Sequence, residues 1–323
     1  MPSFTKFAII FIAACAINTG AGAQSDADIP AAPVTQSTCK NSQVSPLSRF
    51  WELEPASNCG TFAIRGYKPI SLAVIGSDGV NTAPTSPSPG YTGTFQPYNT
   101  SEMRIALSVR TKVAEGLLTM GASNRLDSVW FGYSQQSYWQ LFNNSLSRPF
   151  RATDHEPEIT YIFPVDVDMG RGWRVRYVGV SANHQSNGQS LPLSRSWNRV
   201  IAKAGMEYGN TFVVNANLWQ RLPEDASTDD NPDIADLVGR GEVAGVWNIN
   251  DTHSLALTVR HSLQANANGS VRLAWLYKVA STNAENRNGL RLHTELFSGY
   301  GDSLLDYNRR RNVLSVGLTL LDW

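Results

Sequence analysis

The feature that most constrains this chain is an alternation of apolar and polar residues with period two, in segments long enough to cross a bilayer. Residues 102–113 read EMRIALSVRTKV. Met103, Ile105, Leu107, Val109 and Val113 fall on one face, and Glu102, Arg104, Ser108, Arg110 and Lys112 on the other. A strand sends successive side chains to opposite sides, so this stripe predicts a strand with one apolar and one polar face. Similar segments recur at about 67–75, 127–136, 157–166, 173–186, 198–208, 211–220, 239–249, 253–264, 269–279, 289–298 and 311–321, which with 102–114 makes twelve. Many run to about ten residues or a little more, the length that spans the hydrocarbon core when tilted.

Short and long connections tend to alternate. Gly209-Asn210 and Asn250-Asp251-Thr252 are tight turns, while 76–101, 137–156, 187–197, 221–238 and 299–310 are longer and more polar. Outer-membrane barrels show this asymmetry between their two ends. The connectors 265–268 and 280–288 break the alternation. An open sheet edge is not tolerated in lipid, so the strands must close on themselves. The expected fold is therefore all-β: a twelve-stranded antiparallel transmembrane β-barrel over residues 59–323, in a bacterial outer membrane. A soluble β-sandwich also alternates, but its strands are usually shorter. The last apolar stripe is Leu314, Val316, Leu318 and Leu320, and the terminal aromatic Trp323 falls out of phase with it.

Residues 1–23 read as an address. Lys6 precedes the apolar run Phe7–Ile17, and Ala21-Gly22-Ala23 forms a small-x-small cleavage site. That is the pattern of a secretory signal peptide, too short to span a membrane. A competing reading takes Ile12-Ala13-Ala14-Cys15 as a lipoprotein processing box. Residues 24–58 are polar, rich in Ser, Pro, Ala and Asp, and without period, so they read as an irregular lead-in. Cleavage leaves Cys39 and Cys59, which export permits to pair; two separate thiols are the alternative. Three Cys in 323 residues exclude a disulfide scaffold, and 42% apolar content excludes general disorder. Lys and Arg number 27 against 27 Asp and Glu, so no basic field points to nucleic acid.

Among five histidines, His184 has distinctive neighbours, in ANHQSNGQSLPLSRSWNR. His184 and Ser186 are two apart and share a strand face, which lets an imidazole serve a hydroxyl as general base. Asn198 opens the next strand, and a hairpin across 187–197 brings it beside His184. Its amide oxygen is then placed to accept the other ring N–H, the orienting role of the third member of a triad. Parity puts all three on the face of Val178, Val180, Val200 and Ala202, the one that meets lipid in a barrel. Polar groups facing lipid are costly unless they have work to do. A reactive serine there implies a substrate that arrives from the bilayer.

HQSNG, SRSWNR, TDDNPDI (228–234) and SGYGDSLLDYN (298–308) together resemble outer-membrane phospholipase A, from about residue 96 to the end. The resemblance implies a calcium-dependent serine esterase that hydrolyses sn-1 and sn-2 acyl esters of phospholipids and lysophospholipids, active as a homodimer. It implies Ser186 as nucleophile, His184 as base and Asn198 as orienter. It also implies calcium held by backbone carbonyls of Gln189 and Ser194 and by the Ser147 hydroxyl of a second copy, with Asp230 a further ligand. The sequence departs from the family at two positions: Gln189 stands where Arg is frequent, and Leu191 where an acid is frequent.

Other signals read as structural. Asp302 and Asp306 are expected as loop-end groups, Arg309-Arg310-Arg311 as a solvated rim, and the nine Trp and eleven Tyr as a source of interfacial girdles. Asp229, Asp230 and Asp233 also suit ordinary turn chemistry. The competing functions are a non-enzymatic porin or structural barrel, and a soluble exported hydrolase.

Overall fold

The computed structural model describes residues 43–119, 124–265, 267–279 and 289–321. The expected leader, Cys39 and Trp323 lie outside the described residues. One sheet contains β1 (Ile64–Gly66), β2 (Ile70–Ser77), β3 (Ser101–Glu115), β4 (Ser128–Trp139), β5 (Phe150–Gly170), β6 (Trp173–Ser186), β7 (Ser196–Tyr208), β8 (Phe212–Arg221), β9 (Gly241–Asn248), β10 (His253–His261), β11 (Gly269–Lys278), β12 (Gly289–Gly299) and β13 (Arg311–Leu321). Sequence neighbours from β2 to β13 pair antiparallel, and β13 pairs back to β2, so the sheet closes. β1 and β2 lie along the same edge of β3, at Val109–Thr111 and Ser101–Ala106. They are two pieces of one broken strand, and the circumference is the expected twelve strands. β5 is longer than expected at both ends.

The faces are inverted relative to a protein built for water. Leu72 and Val74 on β2, Val178 and Val180 on β6, and Leu314, Val316 and Leu318 on β13 point outward and exposed. Glu102, Arg104, Arg110 and Lys112 on β3 are buried inside. Lipid solvates the apolar faces, and closure satisfies the backbone of every strand. Trp173, Tyr208, Phe212 and Trp247 contact one another near the short turns, with ring centroids 5.6–6.4 Å apart. Trp139 and Phe150 stack at 5.4 Å near the other end. Four tryptophans, Trp51, Trp130, Trp197 and Trp219, are instead buried in the interior.

The lead-in is not wholly irregular. Pro46–Trp51 forms a short helix, α1, followed by a 3-10 turn at Pro55–Ser57. The Leu47 N–H donates to Glu207 Oε2 at 2.9 Å, the Arg110 guanidinium lies 3.5 Å from the Phe50 ring centre, and Lys112 Nζ sits 2.8 Å from Glu52. Trp51 packs edge-on against Trp130 and Tyr177, each 5.7 Å away. So α1 lies within the barrel wall, toward the end with the short turns. Six residues nucleate no helix alone; the barrel supplies the partners, which no local pattern announces. Cys59 is disulfide-bonded.

Toward the opposite end an ionic layer crosses the lumen. Arg151 pairs with Glu102 (2.7 Å) and Asp306 (2.8 Å), and Arg311 pairs with Asp306 (2.9 Å) and Asp302 (3.2 Å). Arg311 is therefore not part of a solvated rim. It opens β13 with an inward side chain and is fully buried, whereas Arg309 and Arg310 are exposed. Burial would raise the Asp306 carboxyl, but Arg151 and Arg311 hold it below its ordinary range. Above this layer, Trp197, Ile201, Trp219, Ile234, Val238, Leu304 and Tyr307 form an apolar cluster. Arg151→Ala leaves Glu102 and Asp306 short of a cation and is expected to cost roughly 3–5 kcal/mol. A drop in the urea unfolding midpoint checks this; an unchanged midpoint refutes it.

Candidate active site

β6 and β7 pair so that His184 stands opposite Asn198, and Ser186 opposite Ser196. His184 Nδ1 and Asn198 Oδ1 are 2.8 Å apart. An amide oxygen only accepts, so Nδ1 carries the proton and the Nε2 lone pair is left to act as base. His184 is exposed on the outer wall, two residues from Ser186 on the same face and in line with Val178 and Val180. The Ser186 hydroxyl has no hydrogen-bond partner among the described residues. Ser186 is flanked across the sheet by Ser196 on β7 and His155 on β5.

The loop after Ser186 is tied by Asn187. Its N–H donates to the Arg195 carbonyl (3.0 Å), its Oδ1 accepts from the Arg195 N–H (3.0 Å), and its Nδ2 donates to the Leu193 carbonyl (2.7 Å). Gly188 takes a left-handed backbone with φ +63°, beside the His155 ring. The TDDNPDI motif buttresses this loop. Asp230 Oδ2 accepts from Ser194 Oγ (2.7 Å) and Ser196 Oγ (3.0 Å), and its Oδ1 from the Tyr91 hydroxyl (2.6 Å). That bond, with burial, pushes the Tyr91 hydroxyl up to about 12, so it stays a donor. Asn231 Oδ1 accepts from the Ser196 N–H, and Asp233 Oδ1 accepts from Tyr307 of the SGYGDSLLDYN motif. Three motifs scattered over the chain thus converge on one loop.

The structure brings Ser194 and Asp230 together, at the end of the barrel where Ser186 lies. Gln189 sits on the same loop, with its N–H 3.3 Å from Asn187 Oδ1. Ser147 lies on the exposed turn between β4 and β5 and makes no hydrogen bond to Gln189, Ser194 or Asp230 among the described residues. The Ser194 carbonyl accepts from Arg195 Nη1 at 2.6 Å and keeps a second lone pair. Leu191 is 61% exposed and offers no carboxylate. Among the described residues no group of three or more His, Cys, Asp or Glu side chains gathers as a metal cluster. The donors present are carbonyl, hydroxyl and carboxylate oxygens.

Two features escaped the sequence reading. A polar ladder runs up the outer face of β4 and β5: His155 Nδ1 lies 2.7 Å from the Tyr133 hydroxyl, which donates to Gln135 Oε1 (3.1 Å), and Gln135 Nε2 donates to Ser137 Oγ (3.2 Å). Parity could have found it, because the outward stripe Val129, Phe131 turns polar at Tyr133. The other is Glu224, whose Oε1 accepts from Asn198 Nδ2 at 3.4 Å. It follows β8 in a polar connector with no signal of its own.

A sequence model described as phospholipase A1 matches residues 47–320. A putative phospholipase A1 of Neisseria meningitidis is 36% identical over 282 residues, 86% of this chain and 70% of the relative. Among solved structures, the calcium-bound dimer of the Salmonella typhi outer membrane phospholipase is 29% identical at a TM-score of 0.68, covering 81% of this chain and 93% of that one. An active-site mutant of Escherichia coli outer membrane phospholipase A, with one asparagine changed to alanine, is 28% identical at a TM-score of 0.69, covering 82% and 94%.

Proposed function

Because this chain belongs to the phospholipase A1 family, an ester-hydrolysing barrel of the outer membrane, we propose that Ser186, His184 and Asn198 perform the hydrolysis on its lipid-facing wall. The observation that carries the reading is the 2.8 Å contact of His184 Nδ1 with Asn198 Oδ1, on the apolar face that also presents Ser186. An active-site asparagine in the Escherichia coli relative supports it. His184 Nε2 takes the Ser186 proton as Oγ attacks the ester carbonyl. The acyl group passes to Ser186, and the alcohol leaves with the proton from His184. Water then attacks the acyl-enzyme with His184 again as base. Asn198 is neutral, so it orients the imidazole without cancelling the imidazolium charge. Oxyanion stabilisation must therefore come from elsewhere, in part from the Ser186 backbone N–H.

The calcium-bound dimer of the Salmonella relative supports calcium and a homodimer here. The all-oxygen donor set suits that ion. Carbonyls of Gln189 and Ser194 and a Ser147 hydroxyl from a second copy would hold it, with Asp230 behind. Held by these residues, the ion would supply positive charge to offset the developing oxyanion. The ladder of Tyr133, Gln135 and His155 supports the dimer, since polar groups on a lipid-facing wall are better covered.

The substrate reading covers sn-1 and sn-2 esters and lysophospholipids. Residues 24–323, refolded in detergent with calcium, are expected to release fatty acid from both positions of a mixed-chain phospholipid and from its lyso form. Release from one position only would narrow the substrate. No release by a folded barrel would sink the reading.

A further inference from the structure

We propose that Glu224 is a positioning residue that holds the Asn198 amide the right way round. This rests on the reading that Ser186, His184 and Asn198 form the catalytic group. An asparagine amide is nearly symmetric in shape but not in chemistry. With its oxygen toward His184 it accepts the Nδ1 proton and leaves Nε2 basic. Turned by half a rotation, it offers N–H to Nδ1, places the ring proton on Nε2, and the base is lost. An aspartate in this role has two equivalent oxygens and carries no such risk. A triad built on asparagine needs something that selects one orientation.

Glu224 does this because an ionised carboxylate only accepts. Asn198 Nδ2 donates to Glu224 Oε1 at 3.4 Å while Asn198 Oδ1 stands 2.8 Å from His184 Nδ1. In the reversed amide, two oxygens would face each other across that 3.4 Å gap and two N–H groups would face the imidazole. The Glu224 end then loses its bond, and the His184 end can pair only in the tautomer that is no base.

The backbone brings the glutamate there. The β7–β8 ladder continues one step beyond Arg221, with the Leu222 N–H donating to the Asn198 carbonyl at 2.8 Å. Pro223, with no N–H to donate, ends the ladder, and the partly buried Glu224 side chain reaches Asn198. Arg221 Nη2 lies 3.9 Å from Glu224 Oε1 and 2.6 Å from Asp229 Oδ1. Burial, with Asp229 and Asp230 nearby, pushes the Glu224 carboxyl up, and the Arg221 guanidinium and the Asn198 hydrogen bond oppose that shift.

The test is a set of variants assayed as folded barrels on phospholipid micelles with saturating calcium. Glu224→Ala is expected to lower kcat by about 10- to 100-fold, the usual loss when the partner that orients a reactive group is removed, with KM within about twofold of wild type. Glu224→Gln both donates and accepts, so it can pair with either orientation of the Asn198 amide and is expected to lose kcat nearly as far as Glu224→Ala. In an Asn198→Asp background there is no amide to orient, so Glu224→Ala is expected to cost nothing further. Wild-type kcat in Glu224→Gln overturns the proposal, since a side chain that pairs with either orientation would then serve as well. So does an unaffected Glu224→Ala, or the same loss in both backgrounds, which would mean a structural contact only. If Asn198→Asp is itself inactive, the Ala and Gln pair decides. Wild-type turnover in Ser186→Ala would instead overturn the catalytic reading on which this rests.

Discussion

Ser186→Ala is expected to reduce phospholipid hydrolysis by at least about 10⁴-fold while the variant still folds, binds micelles and keeps its heat-modifiable mobility on a gel. Alanine deletes one exposed-face oxygen that has no hydrogen-bond partner among the described residues, so the barrel loses no bond. The reaction loses its only attacking atom on this reading. His184→Ala is expected to cost about as much, because an unassisted serine hydroxyl is a poor nucleophile near neutral pH. The double variant is expected to fall no further than either single one, since residues that act as a unit are not additive. Initial rates of fatty-acid release check this. Substantial residual turnover in Ser186→Ala, or losses that multiply in the double variant, would show that the two side chains do not share one step.

Chelation of calcium is expected to lower kcat by about 10²- to 10³-fold, the size of effect that follows loss of one oxyanion-stabilising group. On the proposed reading the chain has particular reason to depend on the ion. Asn198 brings no charge to the imidazolium, and Asp230 is occupied by Tyr91, Ser194 and Ser196. Leu191 contributes no carboxylate, so on the proposed reading a lone chain would hold calcium weakly and a second copy would complete the site. Leu191→Asp is therefore expected to shift half-maximal calcium to lower concentration, with the larger shift at protein concentrations too low for dimers. Calcium titrations at two protein concentrations read this directly. Equal activity in calcium and in chelator would remove the ion from the mechanism. An unchanged midpoint in Leu191→Asp would show that position 191 does not face it.

Much of the fold was legible because a membrane strand obeys a local rule. Most residues of β3 declare their side by their polarity, and lipid outside makes the rule strict. The His184, Ser186 and Asn198 group was legible for the same reason: parity puts all three on one face, and a hairpin of fixed register brings two of them together. The lumen was much less so. Arg311 reads as one of three consecutive arginines, and only closure of the sheet turns it toward Asp306 and Asp302. The helix Pro46–Trp51 has too few residues to show a period, and its partners Arg110, Lys112, Trp130 and Glu207 come from three different strands. Motif residues such as Asp233 and Tyr307 stood out in the sequence, but their bond spans 74 positions.

The sequence by itself thus determined which faces meet lipid, how many strands close the barrel, and that His184, Ser186 and Asn198 share one outward face. These follow from solvent and from period two, which act residue by residue. The tertiary structure alone decided what fills the lumen, what braces the loop after Ser186, and what stands behind Asn198. Each of those is a polar contact between distant segments, and hydrogen-bonding groups choose partners by position in space, which no local pattern encodes.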